Sequence, residues 1–341
     1  MKILVTGAAG FIGSRVARQL ASEGHDIVAL DNVNDYYDVR LKYSRMHSLG
    51  IMHPETLAMG DWAVSSQFDN LRFLREDIDH RDALNNLFRD EHFTHVINLA
   101  AQAGVRFSIS NPYDYLTSNI SGFLNILECC RHYPVQHLVF ASSSSVYGLN
   151  SEVPFSESQK VQQPVSLYAA SKMSNELMAH AYSNLYGIPA TGLRFFTVYG
   201  PWGRPDMAPM LFARAICAGQ PIKVFNNGDM LRDFTYIDDI VEGTLRLLPV
   251  TPSSDSKVPF AVYNIGFGSP MRLLDFIQLL EQALGKEAEK CFMPMQPGDV
   301  YMTYADTTAL AQATGYKPRV PLSEGIKHFA EWYLSDSNPL R

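Results

Sequence analysis

Tyr168 and Lys172 stand four residues apart in SLYAASKMSNELMAHAYSNLYG. On a helix that spacing puts both side chains on one face. An ammonium beside a phenol favours the phenolate and lowers its pKa. The pair could therefore take a proton from a hydroxyl and return it. A second concentration of chemistry lies upstream, where the apolar run HLVFASSSSVYG (His137 to Gly148) ends in four successive hydroxyls. Serine competes with the backbone for hydrogen bonds and favours turns and element ends. A strand running out into a loop accounts for the position of these serines, though not for their number.

A third group, Gly7, Gly10 and Gly13, forms GxxGxxG after the apolar stretch KILVT. One glycine makes a tight turn, one admits backbone close to a pyrophosphate, and one lets the following helix pack on the strand. The helix N-terminus then faces the anion, with Phe11 and Ile12 inside the same turn. Asp31 closes the next strand, 18 residues beyond Gly13. There an acid accepts hydrogen bonds from ribose hydroxyls and repels a 2′-phosphate, and Asn32 brings no positive charge to rescue one. This favours NAD over NADP. Asp77 and Ile78, after a third strand, are placed to meet the adenine. Leu99, Ala100 and Ala101 end a fourth strand in small residues that a cofactor could approach.

The elements that must position these groups alternate. KILVTG, DIVALDN, LRFLRED, HVINLA, HLVFAS and ATGLRFF read as buried strands, most of them separated by amphipathic helical stretches such as SRVARQLASEG. Such alternation implies βαβ units: an α/β fold, Rossmann-like, with a doubly wound parallel sheet. The pattern fades after about Thr197, and a smaller mixed C-terminal lobe is expected to face the substrate. The expected division is a dinucleotide domain over 1–196, which the chain rejoins at about 232–262 through FTYIDDIVEGTLRLL, and a substrate lobe over 197–231 and 263–341. The stretch from Asn34 to Phe68 resists assignment.

Length, 341 residues, and a net charge of −7 without basic clusters fit a globular protein that binds neither nucleic acid nor a membrane surface. No stretch is apolar enough for a membrane span or signal peptide. Four cysteines and ten histidines show no metal-ligand spacing, so no metal is expected and a reducing, cytoplasmic setting is the simplest.

Together these motifs resemble the extended short-chain dehydrogenase/reductase family of NAD-dependent epimerases and dehydratases, over nearly the whole chain. The resemblance implies that Ser143, four residues before the tyrosine of VYG, completes a catalytic set with Tyr168 and Lys172. Ser144 and Ser145 are then free to hold substrate. Members that dehydrate nucleotide sugars carry Asp-Glu at that pair, and decarboxylases are similar, with a glutamate before VYG. Serines there point instead to an epimerase that oxidises C4, lets the ketone present its other face and returns the same hydride.

DNVNDYYDVRLKYSR, AAQAGVRFSISNP, LRFFTVYGPWGRPDMAPMLF, DMLRDFTYIDDI and MQPGDV are most similar to the members that epimerise UDP-glucuronate to UDP-galacturonate. By that resemblance Thr197 and Arg204 grip the sugar carboxylate, Arg232 meets the diphosphate, Asp299 the uridine ribose, and Phe225 with Ala208–Met210 the uracil. Relatives often keep an arginine before PGD, where this chain has Met295-Gln296, so one phosphate contact is either missing or supplied elsewhere, with Arg106 the candidate to supply it. The family also implies a homodimer through helices around 105–132 and 168–186. Competing readings are another UDP-sugar 4-epimerase, a decarboxylase or dehydratase, and a non-catalytic NAD-binding sensor.

Overall fold

The computed structural model describes residues 1–252, 257–296 and 298–341. The short aliphatic runs form strands β1 (Lys2–Thr6), β2 (Asp26–Asp31), β3 (Trp62–Val64), β4 (Leu71–Arg75), β5 (His95–Asn98), β6 (His137–Ser143) and β7 (Ala190–Phe195). With Phe260–Ile265 they make one eight-stranded sheet in the order Phe260–Ile265, β7, β6, β5, β1, β2, β4, β3. All neighbours are parallel except β3, which pairs antiparallel with β4. Alternate residues of a strand face opposite sides. Ile3 and Val5 accordingly enter one apolar layer, and Leu4 the other.

The chain leaves β1 towards β2 and β4, then crosses back to build β5, β6 and β7 on the other side. The reversal falls between β1 and β5. In open α/β sheets a crevice for ligands opens at such a switch, beyond the strands' carboxyl ends. Gly7, Asp31, Asp77, Leu99, Ser143 and Thr197 all sit at or within two residues of such ends.

Two sequence expectations are revised, and two stretches gain a structure that the sequence did not assign. FTYIDDIVEGTLRLL does not rejoin the main sheet: Phe234–Tyr236 pairs with Thr197–Tyr199 over three residues, and Ile237–Arg246 is a helix. The position beside β7 is taken by Phe260–Ile265, which pairs with it over six residues and runs across the expected 262/263 boundary. Asn34–Phe68 contains a helix (Val39–Ser48), a short 3-10 turn (Pro54–Thr56) and the edge strand β3. Its helix is started by Asp38, whose side chain accepts the Arg40 N–H. Lastly, Ala208–Met210 is the first turn of a helix, Ala208–Cys217, with proline near its start.

Candidate functional site

The glycine turn closes tightly on itself. Gly7 has φ +70°, and a Cβ there would lie 2.8 Å from the Ala100 nitrogen. A Cβ on Gly10 would lie 2.8 Å from the Gly7 carbonyl, and one on Gly13 would collide with that same oxygen. Gly10 starts the helix Phe11–Ser22 with no side chain capping it, which leaves that helix end to a ligand or solvent. Asp31 is buried and accepts from two backbone N–H groups, Ala9 to Oδ2 at 3.0 Å and Val33 to Oδ1 at 2.8 Å. It thus fixes the turn as well as offering its remaining lone pairs to the cleft. Asn32 donates to Asp77 Oδ2 at 2.6 Å, tying together the ends of β2 and β4. Ile78 packs against Gly122, and the Ala100 N–H donates to the Thr6 hydroxyl at 3.1 Å.

Tyr168 and Lys172 lie on the helix Leu167–Tyr186, capped by the Ser166 side chain and ended by Gly187 in the left-handed region. Lys172 is 3 % exposed and donates to the Ala141 carbonyl of β6 at 2.9 Å. Burial alone lowers its pKa to about 8. Ser143 accepts the Ser145 N–H at 3.1 Å, which curls the serine run into the 3-10 turn Ser144–Tyr147. Burial raises the Tyr168 pKa, while a hydrogen bond from Ser143 and the charge of Arg204 pull it back. Lys172 is directed at the β6 backbone, and the positive charge that acts against the rise is that of Arg204. Helical spacing alone had suggested the lysine.

Behind this centre lies a polar network missing from the sequence reading. One turn after Lys172, Glu176 pairs with Arg194 of β7 and accepts the Ser142 hydroxyl at 2.5 Å. Arg194 also donates to the Tyr147 hydroxyl at 3.0 Å, and that hydroxyl donates to Asn264 at 2.7 Å. Asn119 lies in a π-helical stretch, Leu116–Gly122, of the kind that often marks functional sites. It donates to Gln102 O at 3.0 Å and Ser171 Oγ at 2.9 Å. The loop after β5 is thereby locked to the tyrosine helix. Glu176 was legible only as the i+4 neighbour of Lys172, and Asn119 carried no signal.

At the far end, Thr197 lines the wall, and Arg204 pairs with Asp206 through Nε (3.1 Å) and Nη2 (2.5 Å). Arg232 meets carbonyls: Nη1 donates to Leu231 O and Tyr301 O, and Nη2 to Val300 O. Among the described residues no carboxylate lies within ion-pair distance of it, and burial lowers its pKa. Arg106 instead pairs with Asp299 at 3.3 Å and lies 5.1 Å from the Phe225 ring centre. Its reading as a replacement phosphate contact is thus qualified, because Asp299 already engages its charge. Pro297 lies outside the described residues. Among the described residues no cluster of His, Cys, Asp or Glu could hold a metal.

The catalytic, cofactor and substrate candidates read from the sequence line a single cleft of 1290 Å³, Ser144, Ser145, Phe11 and Ile12 included, whereas of the uracil stretch Ala208–Met210 only Ala208 reaches it. A family model for NAD-dependent epimerases and dehydratases matches residues 3–266. The chain belongs to that family. Protein CapI of Staphylococcus aureus is 50% identical to this family member over 98% of both chains. A probable UDP-glucuronate 4-epimerase of Rhizobium meliloti is 43% identical, over 98% of this chain and 97% of its own. Among solved structures, the UDP-glucuronic acid 4-epimerase of Bacillus cereus, in complex with UDP-glucuronic acid and NAD, superposes with a TM-score of 0.84. It is 35% identical, over 97% of this chain and 98% of its own.

The cofactor of this epimerase/dehydratase-family chain is NAD. The residues present fit it: a turn with no room for a Cβ at Gly7, Gly10 or Gly13, a helix N-terminus without a side-chain cap, and a buried acid at the end of β2.

Proposed function

We propose that this chain is a 4-epimerase that interconverts UDP-glucuronate and UDP-galacturonate. The observation that carries the substrate is that Arg204 lines the same cleft wall as Tyr168, with its Nη1 met by no acceptor among the described residues. In a uronate the carboxylate is attached to C5, next to the carbon oxidised. A carboxylate binder must therefore stand beside the reactive phenol, as this arginine does. The names of the Rhizobium and Bacillus relatives support the same substrate.

Tyr168, with Ser143 lining the same cleft, takes the proton from the C4 hydroxyl and later returns it to the opposite face. NAD, when bound, supplies the reversible oxidation at C4. Lys172 fixes the helix against β6 and keeps further N–H donors for the cofactor ribose. Ser144 and Ser145 line the cleft beside Ser143 and offer hydroxyls to the sugar as it turns. Arg232, its guanidinium lacking a carboxylate partner among the described residues, receives the diphosphate. Asp299 and Phe225 receive the uridine.

A UDP-glucose 4-epimerase is the second reading. Thr197-Val198 stands where such enzymes typically carry Asn-Pro, and Arg204 would have no charge to meet. Serines at 144 and 145 weigh against a decarboxylase or dehydratase. Exposed leucines on the helices around 105–132 and 168–186 support a homodimer, and two adjacent free thiols, Cys129 and Cys130, support a cytoplasmic setting.

The test is incubation with UDP-glucuronate and no added NAD. A product of equal mass and new retention time supports the proposal. Loss of CO₂ as the main outcome makes the chain a decarboxylase, and turnover of UDP-glucose alone moves it to the second reading.

A further inference from the structure

Arg204 does not present an empty fork to the cleft. Its side-on edge, Nε and Nη2, is filled by Asp206, while among the described residues no protein acceptor meets Nη1. Asp206 is in turn held by Tyr36, whose hydroxyl donates to Oδ2 at 3.0 Å. Tyr36 comes from the stretch that sequence could not assign, and it is wedged in place. Its ring packs edge-on to Phe107 at 4.7 Å, and a Cβ at Gly104 would come within 2.6 Å of its hydroxyl. Burial and Asp206 push its pKa up to about 12, so it stays a donor at any working pH.

We propose that Asp206, held by Tyr36, is the positioning residue that locks Arg204 side-on, leaving its Nη1 end to grip the sugar carboxylate. This rests on the uronate reading above. A free arginine side chain has several rotatable bonds, and ordering it on binding costs affinity and precision. Paired beforehand, the guanidinium is already aimed and its partly exposed charge already balanced.

Aim matters here because the 4-keto uronate is a β-keto acid. If its carboxylate swings so that the C5–C6 bond aligns with the C4 carbonyl π-system, that bond breaks and CO₂ departs. The electron pair passes into the carbonyl as an enolate, and C5 takes up a proton. A carboxylate held end-on by a fixed arginine is kept from that alignment. Asp206 thus acts on the ratio of epimer to CO₂ through Arg204 without touching the reacting carbons.

Asp206→Asn, Tyr36→Phe and Asp206→Glu, each with its retained NAD, are compared with the wild type on UDP-glucuronate. Epimer and CO₂ are quantified together, and melting temperature and NAD content are recorded. For Asp206→Asn, kcat/KM falls by about 10- to 100-fold, the cost of a misplaced group, and the CO₂ share rises severalfold. Tyr36→Phe moves both readouts the same way and less far, and Asp206→Glu returns the ratio towards the wild type. Melting temperature and NAD content stay close to the wild type, which separates positioning from a folding defect.

An unchanged or lower CO₂ share in Asp206→Asn overturns the inference, the lower share meaning that Asp206 competes with substrate for the arginine. If Asp206→Asn fails to fold, Tyr36→Phe decides by the same ratio. Wild-type protein that leaves UDP-glucuronate untouched overturns the uronate reading and this inference with it. An active wild type beside an unmoved ratio overturns the inference alone.

Discussion

Glu176 and Arg194 face each other inside the protein as a two-pronged pair, Nε to Oε1 at 2.9 Å and Nη2 to Oε2 at 2.8 Å, each side chain less than a tenth exposed. The pair joins the helix of Tyr168 and Lys172 to β7, and through Ser142 and Tyr147 it reaches both sides of the serine turn. Removing one partner strands a buried charge. Glu176→Ala should cost about 3–5 kcal/mol of stability, read from urea unfolding. Replacing both residues with apolar ones of similar size should cost far less. A double replacement that costs the sum of the two single replacements would show that the pair is not acting as a unit.

Lys172 gives a pH prediction. Its pKa is lowered to about 8 by burial from an ordinary 10.5. Between those values the unfolded chain binds the proton and the folded one does not, so stability rises with pH across that window. Below about pH 8 the full cost of the buried ammonium is present. Lys172→Met, stripped of cofactor, should therefore be more stable than the wild type at neutral pH by about 1–3 kcal/mol, after allowing for its lost hydrogen bond. That advantage should shrink towards pH 10 while activity is lost throughout. A stability gap constant with pH would mean the ammonium is better solvated than its 3 % exposure indicates.

The distribution of what sequence reveals has a physical basis. Gly7, Gly13, Asp31 and the YxxxK pair are legible because their chemistry depends on spacing within one element or one turn. The sheet is legible for the same reason, since each strand's burial is written in its own residues. Asp206, Tyr36 and Asn119 depend on long-range packing: Tyr36 meets Asp206 across 170 residues. Their local surroundings carry no periodicity, and the π-helical turn around Asn119 has a spacing that helical patterns do not anticipate. The stretch FTYIDDIVEGTLRLL failed differently. Three residues of high strand propensity, Phe234, Thr235 and Tyr236, suit any sheet, and the place beside β7 in the main one is taken by the longer Phe260–Ile265 strand.

Asp31 joins two tasks. It accepts the Ala9 and Val33 N–H groups and lines the cleft where the ribose is proposed to lie. Asp31→Ala should strand two buried donors at about 1–3 kcal/mol each and lower the NAD retained through purification. The check is the NAD released per chain on heat denaturation, beside the melting curve. Full retention with reduced stability would assign Asp31 to the turn alone.

Leu177 and Leu185 are 70 % and 67 % exposed on the helix that carries Tyr168, and Leu116 and Leu124 are 46 % and 38 % exposed on its neighbour. Each such leucine, if buried against a second copy, contributes about 1.5–3 kcal/mol. Leucines at these positions are therefore an expensive choice for a solvated face. Leu177→Glu would place a charge in such an interface with no partner, and burying an unpaired charge costs more than the leucine contributes. Light scattering should find the wild type as a dimer and Leu177→Glu shifted to monomer at the same concentration. Tyr168 points from the inner face of the same helix, so the monomer should bind UDP-sugar, with turnover lowered only as far as the helix loosens. A wild-type monomer, or a variant that stays dimeric, would remove this face from the interface.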